Sequence, residues 1–316
     1  MNNLVNAIFS ADFVYSIFRL TTPILLAALA ALITDRAGVM NIGLEGIMLS
    51  SALMGVIGSA YLKSAFLGLL CAIITGIIIA VIMAYFALNL DTNIILTGIA
   101  INLLASGGTV FLLYSVSGDK GISASLASLT LPTVRIPIID SIPVLGRMLS
   151  NHNVLTYVSL ILVLVIWLVL YRTSLGLRIR IVGENPDAAK SVGINVIKIK
   201  YYALLISGFL ASLGGAYMSM GYIDKFARDM TAGRGFIALA AEALGRGTPF
   251  GTLISSIIFG TADALASNLQ ILSIPAQFIQ MIPYIFTIVG LIVYSISKNN
   301  KIKLLKLGND KNEEEK

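Results

Sequence analysis

The side chains able to do covalent or redox chemistry are few and lie apart. His152 is the only histidine and Cys71 the only cysteine, the first in a polar interval and the second inside an apolar run. A single thiol closes no intrachain disulfide, and no His/Cys set stands at metal-ligand spacing, so redox and zinc chemistry are unsupported and no metal ligands are assigned. No nucleophile is paired with a base, which sets aside an intramembrane enzyme. No GxxxxGK[ST] phosphate loop occurs; ATP, if it drives this protein, is hydrolysed on another chain. What remains is hydrogen-bonding chemistry. Asn41, Glu45 and Asn102 stand inside or beside long apolar stretches, as do Arg19, Asn93, Asp263, Asn268 and Gln277. An amide can pair with a nucleobase edge or a ribose hydroxyl. An ionisable group at bilayer depth must face protein or water, because lipid solvates it poorly.

The elements that carry these residues are membrane spans. Of 316 residues 57% are hydrophobic and 12% charged, with mean hydropathy +0.90, against about 25% charged in an ordinary soluble domain. A span needs roughly 20 mostly apolar residues. Apolar stretches run from about Phe13 to Ile33, Ile42 to Leu62, Ala65 to Leu88, Ile94 to Val116, Val154 to Tyr171, Tyr201 to Tyr222, Phe236 to Leu244, Thr252 to Ala266 and Pro275 to Ser297. The seventh is short, and Gly245, Gly247, Pro249 and Gly251 divide it from the eighth, which predicts a broken helical pair. The expected fold is all-α: a polytopic transmembrane helical bundle with about nine crossings, including a broken late helix pair. The first dozen residues lack a basic n-region and the first apolar run is too long for a cleaved leader, so the N-terminus is expected to be retained.

The net charge of +6 and pI near 9.3 point to sidedness. Six of the 22 basic residues fall between Arg172 and Lys200 and six between Lys298 and Lys316, beside apolar runs, the distribution that marks cytoplasmic segments. No stacking aromatics or nucleic-acid motif accompany them, and no nucleic-acid partner is expected. With both segments on one side, an even number of crossings separates them. Four satisfy this if the short seventh segment is included, and counting back places the N-terminus outside. Residues 1–297 then form the membrane domain, with 172–200 a cytoplasmic loop and 117–153 an extracytoplasmic one, in which Pro132, Pro137 and Pro143 forbid a continuous helix. Residues 298–316, with six basic and four acidic residues, are expected to be a solvated, partly disordered cytoplasmic tail.

Three stretches carry more than apolar runs. Gly183 to Ile194, GENPDAAKSVGI, predicts a short helix with Asn185 as N-cap, Pro186 at the first position, Asp187 at the positive dipole end and Gly193 closing in a left-handed conformation. About two turns are marginal alone, so the helix must rest on something. Asp35 to Gly46, DRAGVMNIGLEG, predicts a helix break whose free backbone groups face protein or a water-filled cavity; Glu45 either lines a pathway or caps a helix start. Gly233 to Gly260, GRGFIALAAEALGRGTPFGTLISSIIFG, has glycines for close backbone approach. Its Arg234 and Arg246 are expected near opposite interfaces, and Glu242 either pairs with Arg246 at i, i+4, the preferred reading, or faces the pathway. Asn102, in LTGIAINLLASGG, either contacts a solute or ties two helices together.

The stretch Thr173 to Ser219, TSLGLRIRIVGENPDAAKSVGINVIKIKYYALLISGFLASLGGAYMS, resembles the cytoplasmic loop and following span of permease subunits of ABC importers in the ribose and branched-chain-amino-acid-type superfamily. RAGVMNIGLEG resembles the signature of its nucleoside branch, the one linked to basic membrane proteins; sugar permeases there carry a glycine, acidic and serine pattern. Gly233 to Gly260 is similar to the family's late broken pair, with Glu242 a departure, since an apolar residue is usual near that position.

The resemblance implies that Asn185, Pro186, Ala188, Ala189, Gly193 and Ile194 form a coupling helix docking in a groove of a cytoplasmic ABC ATPase. Asn41, Glu45 and Asn102 lead as residues of the translocation pathway. No cofactor is implied in this chain, ATP and Mg residing on the ATPase. The other implied partners are a second, homologous permease subunit, an extracytoplasmic substrate-binding lipoprotein and membrane lipid, all at a bacterial plasma (inner) membrane. The implied activity is import of a nucleoside by alternating access, with a sugar as the alternative solute. An ion-gradient-driven secondary transporter is the rival class; it predicts inverted repeats and ionisable coupling residues, and neither is clear.

Overall fold

The computed structural model describes residues 10–140 and 143–269, most of them helical. The first helix, α1 (Ala11–Arg36), begins where the Ser10 side chain accepts the Phe13 N–H at 3.2 Å. From Leu20 to Thr34 every residue of α1 is buried, which makes it the axis of the bundle. Pro23 interrupts its hydrogen-bond ladder, because a proline offers no N–H to the carbonyl four residues back. The orphaned Arg19 carbonyl accepts instead from the Tyr217 hydroxyl at 3.0 Å, a substitute that lipid could not supply.

Three further helices follow: α2 (Leu44–Leu62), α3 (Ala65–Asn89) and α4 (Ile94–Ser117). Side-chain caps start the last two, Ser64 for α3 and Asn93 for α4. α3 exposes Ile74 and Ile78 outward, a face suited to hydrocarbon rather than water, and α4 exposes Leu103, Leu104 and Phe111. The interval that follows holds α5 (Pro137–Asp140), α6 (Pro143–Leu149) and a two-residue ribbon of β1 (Thr133–Val134) antiparallel to β2 (His152–Asn153). Pro137 and Pro143 both occupy first helical positions, where the missing N–H costs nothing. His152 lies buried there against Tyr15, with ring centroids 4.1 Å apart and Nε2 3.0 Å from the Met148 carbonyl. Burial pushes its pKa below the ordinary histidine value.

The second half comprises α7 (Val154–Arg172), α8 (Ser174–Glu184), α9 (Pro186–Ser191), α10 (Val196–Tyr217) with a π-helical turn at Met218–Tyr222, α11 (Arg234–Leu244) and α12 (Pro249–Leu269). α1 packs against α10, α11 and α12, while α2 packs against α3, α4 and α10.

Among the described residues seven helices are long and apolar enough to cross a membrane: α1, α2, α3, α4, α7, α10 with its π turn, and α12. The expected count of about nine is therefore not confirmed among the described residues. Two stretches account for the gap. The ninth, Pro275 to Ser297, lies outside the described residues, as do Gln277 and the 298–316 tail. The seventh is the 11-residue α11, only about 16 Å long at 1.5 Å per residue. Even so, the chain here runs from one end of the bundle to the other, because the irregular segment 223–233 covers the remaining distance. The Phe226 N–H donates to Ser123 in the interval after α4, and the Gly247 carbonyl, beyond α11, meets Arg36 at the opposite end.

Candidate functional site

α11 is a half-helix fixed at both ends by one segment of chain, the connection between α1 and α2. At its start, the Glu45 carboxylate accepts from the Thr231 hydroxyl at 2.6 Å and the Gly233 N–H at 2.8 Å on one oxygen, and from the Gly235 N–H at 2.7 Å on the other. Helix N-termini leave N–H groups unpaired and carry partial positive charge, so a carboxylate from another helix serves here as the cap. Gly235 makes the approach possible: a Cβ there would lie 2.6 Å from the Glu45 nitrogen. At the other end Arg36 donates from Nε to the Gly247 carbonyl at 2.7 Å, from Nη2 to the same carbonyl, and to the Arg246 carbonyl at 3.2 Å. A cation at the carbonyl end completes the match to the helix dipole.

The same connection touches the arm formed by α8 and α9. Gly183, near the end of α8, packs so closely on Arg36 that a Cβ would collide with the Arg36 carbonyl oxygen and come within 3.0 Å of the Gly38 nitrogen. α9 has the expected cap: Asn185 Oδ1 accepts from Asp187 N–H at 3.1 Å and Ala188 N–H at 3.0 Å, Pro186 opens the helix, and Gly193 is left-handed at φ 80°. Ile194 N–H closes on the Ala189 carbonyl at 3.0 Å. The two alanines have different surroundings. Ala189 is 0% exposed and packs in the core that includes α1, Ile179 and Val182, whereas Ala188 and Val192 face outward, Val192 at 71% exposure. The support that so short a helix needs is thus Ala189, and the free face is built on Ala188 and Val192.

Asn102 bridges the α1–α2 connection to α4. Its Oδ1 accepts from the Gly46 N–H at 2.8 Å and its Nδ2 donates to the Ile42 carbonyl at 2.9 Å. Asn41 is fully buried; its Nδ2 donates to Ser207 Oγ of α10 at 2.9 Å, while its Oδ1 has no partner among the described residues. Asn41, Glu45 and Asn102 are thus brought into one neighbourhood, where each holds a different element to the 41–46 segment. An apolar cleft of about 370 Å³ between α2, α3 and α4 touches none of the three. Two of its few polar groups, the Thr75 and Thr109 hydroxyls, donate to carbonyls of their own helices, so little is left there to orient a polar solute.

Two expectations about the broken pair need correction. Arg234 does not reach an interface: it is paired with Asp263 of α12 at 3.1 Å, with side chains 15% and 9% exposed. A cation at the first position of α11 opposes the helix dipole, and the buried carboxylate offsets it. Glu242, 7% exposed, has Asp35 and Arg36 as its charged neighbours; a Glu242–Arg246 pair is not among the ion pairs of the described residues. Sequence reading also passed over Arg36 and Gly183. The signals for both were present, in the charge opening RAGVMNIGLEG and the glycine just before the Asn185 cap, but their partners lie far along the chain.

The arrangement defines a class: a multi-pass membrane protein in which an exposed, capped helix at one end of the bundle is joined mechanically to a broken helix inside it. Residues 13–292 match the family described as "Branched-chain amino acid transport system / permease component", and the chain belongs to that family. It is 32% identical over 287 residues to the nucleoside ABC transporter permease protein NupC of Lactococcus lactis subsp. cremoris, covering 87% of this chain and 89% of that one. It is 34% identical over 301 residues to the guanosine ABC transporter permease protein NupQ of Bacillus subtilis, covering 91% and 92%. The glucose ABC transporter permease protein TsgB13 of Haloferax volcanii is 26% identical over 273 residues, covering 82% and 71%. Among solved structures, PsaBC from Streptococcus pneumoniae in complex with Fab shares the fold, with TM-score 0.52 and 15% identity over 92% of this chain and 94% of that one. The chain is a permease subunit of an ABC transporter, a transport component and not an enzyme.

Proposed function

We propose that this permease imports nucleosides by alternating access, driven by a separate cytoplasmic ATPase that binds ATP and Mg and acts on α9. A second homologous permease completes the passage and an extracytoplasmic lipoprotein delivers the solute. The observation that carries the reading is the continuous contact from α9 through α8 and Gly183 to Arg36, and from Arg36 to the Arg246–Gly247 turn between α11 and α12. A displacement of the arm is passed along packed backbone, not across a flexible loop, to the broken helix pair. Asn41, Glu45 and Asn102 serve the pathway by holding α10, the half-helix and α4 in register.

Nucleoside as the solute is supported by RAGVMNIGLEG and by the names of NupC and NupQ; the glucose permease TsgB13 keeps a sugar as the second reading. Ala188→Asp tests the coupling. Placed on the exposed face of α9, it leaves insertion intact and abolishes uptake together with solute-stimulated ATPase activity. Ala189→Asp is a different experiment, since a carboxylate at a 0% exposed core position destabilises the arm itself. Full uptake by Ala188→Asp overturns the coupling role.

A further inference from the structure

Arg228 and Asp229, two of the four charged residues in the irregular segment 223–233, stand outside the coupling path. Asp229 accepts from Ser106 Oγ at 2.9 Å on one oxygen, and its other oxygen lies 3.3 Å from Arg228 Nε. Ser106 is in α4, which spans Ile94–Ser117, about 18 Å from the first residue and about 17 Å from the last at 1.5 Å per residue. The carboxylate therefore reaches the middle of a span. The Arg228 and Asp229 side chains are nevertheless 68% and 52% exposed, whereas the Arg234–Asp263 pair is enclosed. An open ion pair at that depth cannot face hydrocarbon and must border water or another protein subunit. Open space lies next to it on α4: a Cβ on the following residue, Gly107, would meet nothing within 4 Å.

The pair contributes little to the fold, since adjacent-residue ion pairs this exposed are weak. A carboxylate has about four acceptor directions, and Asp229 uses one for Ser106 and one for Arg228, so two remain. Two acceptors on one rigid group match two neighbouring hydroxyl donors. We propose that Ser106, Arg228 and Asp229 form a solute-contact site at bilayer mid-depth, on the face turned to the second permease subunit, where Asp229 accepts hydrogen bonds from the vicinal hydroxyls of a ribose ring. This rests on the importer reading and names the part of the solute that is recognised. Ser106 and Arg228 hold the carboxylate in place.

The test compares a ribonucleoside with its 2′,3′-dideoxy analogue in membrane vesicles carrying the whole importer. Asp229→Ala lowers the ribo-to-dideoxy uptake ratio about tenfold or more, the scale for removing a partner of substrate hydroxyls. A purely structural role lowers both rates together, and that outcome, or no change in the ratio, overturns the site. A second measurement is independent of transport. In a Cys71→Ala background, Gly107→Cys reacts with a membrane-impermeant hydrophilic thiol reagent and is protected by ribonucleoside, while Ile78→Cys on the outward face of α3 stays unreactive. Gly107→Cys as inert as Ile78→Cys overturns the site as well. If the wild-type importer takes up no nucleoside but Asp229→Ala still loses uptake of a sugar with vicinal hydroxyls, the solute reading falls and the site stands.

Discussion

Glu45 and Asp229 are both carboxylates tied to the same short piece of chain around the start of α11, yet their surroundings are opposite. Glu45 accepts three hydrogen bonds, two of them from the backbone N–H groups that open the half-helix. Asp229 is held by Ser106 and Arg228 and is otherwise open. Residue type and depth mark both as functional, since ionisable groups are costly in a membrane. The partners separate them: one carboxylate is engaged in holding the fold, and the other has acceptors to spare. The same contrast divides Arg36, which closes on backbone carbonyls, from Arg228, which stands exposed.

Substitutions can break or sharpen this contrast, and the largest effect is expected at Glu45. Glu45→Ala strands the N–H groups of Gly233 and Gly235 and should cost on the order of 2–3 kcal/mol, the scale for donors that lose a charged acceptor. It should be read as loss of assembled protein and a lower Tm in detergent. Glu45→Ala with normal stability and selectively lost uptake would move Glu45 to the solute side of the comparison. Arg36→Gln comes next. It loses the charge at the carbonyl end of α11, worth about 1–2 kcal/mol, and should leave insertion intact while uncoupling ATP hydrolysis from uptake, measured as ATP consumed per solute moved. Asn102→Ala should cost about 1 kcal/mol, the usual scale for interhelical amide bonds in membranes, with solute selectivity unchanged. A shift in selectivity would show that Asn102 contacts solute directly.

The smallest effect concerns pH. The folded-state pKa of His152 lies below its unfolded value because burial disfavours the imidazolium. Between those two values the unfolded chain binds more protons, so stability rises with pH. The packing of the 117–153 interval is fully retained above the unfolded value of about 6.5 and weakens as pH falls below it. Hydrogen-exchange protection in that interval, measured against the intrinsic rate at each pH, should fall from about pH 7.5 to about pH 5.5, and His152→Phe should flatten the dependence.

Membrane class and the α9 helix were legible in the sequence for physical reasons. Apolar content leaves no other solvent for these helices, and the Asn185 cap, Pro186 and the left-handed Gly193 act within a few residues of one another. Features fixed by distant contacts were not. Arg36 and Gly247 are 211 residues apart and Glu45 and Gly235 are 190 apart, so no local pattern reveals that one connection holds both ends of α11. The short seventh stretch reads as a crossing only through the count of sides, because the chain covers that distance partly without a helix. The capping alternative for Glu45 was foreseeable from its position after a helix break; the helix it caps lies elsewhere in the chain. Ala188 and Ala189 look alike in sequence, and only the packing of α9 on α8 and α10 tells buried from free.

The central claim is that α9 receives force from a nucleotide-hydrolysing subunit, and site-directed crosslinking tests it most directly. In a Cys71→Ala background, Ala188→Cys or Val192→Cys should crosslink to the ATPase subunit in native membranes, with a yield that changes on ATP binding, while Lys63→Cys at the opposite end of the bundle should not. Crosslinks from Lys63→Cys and none from Ala188→Cys or Val192→Cys would contradict the account.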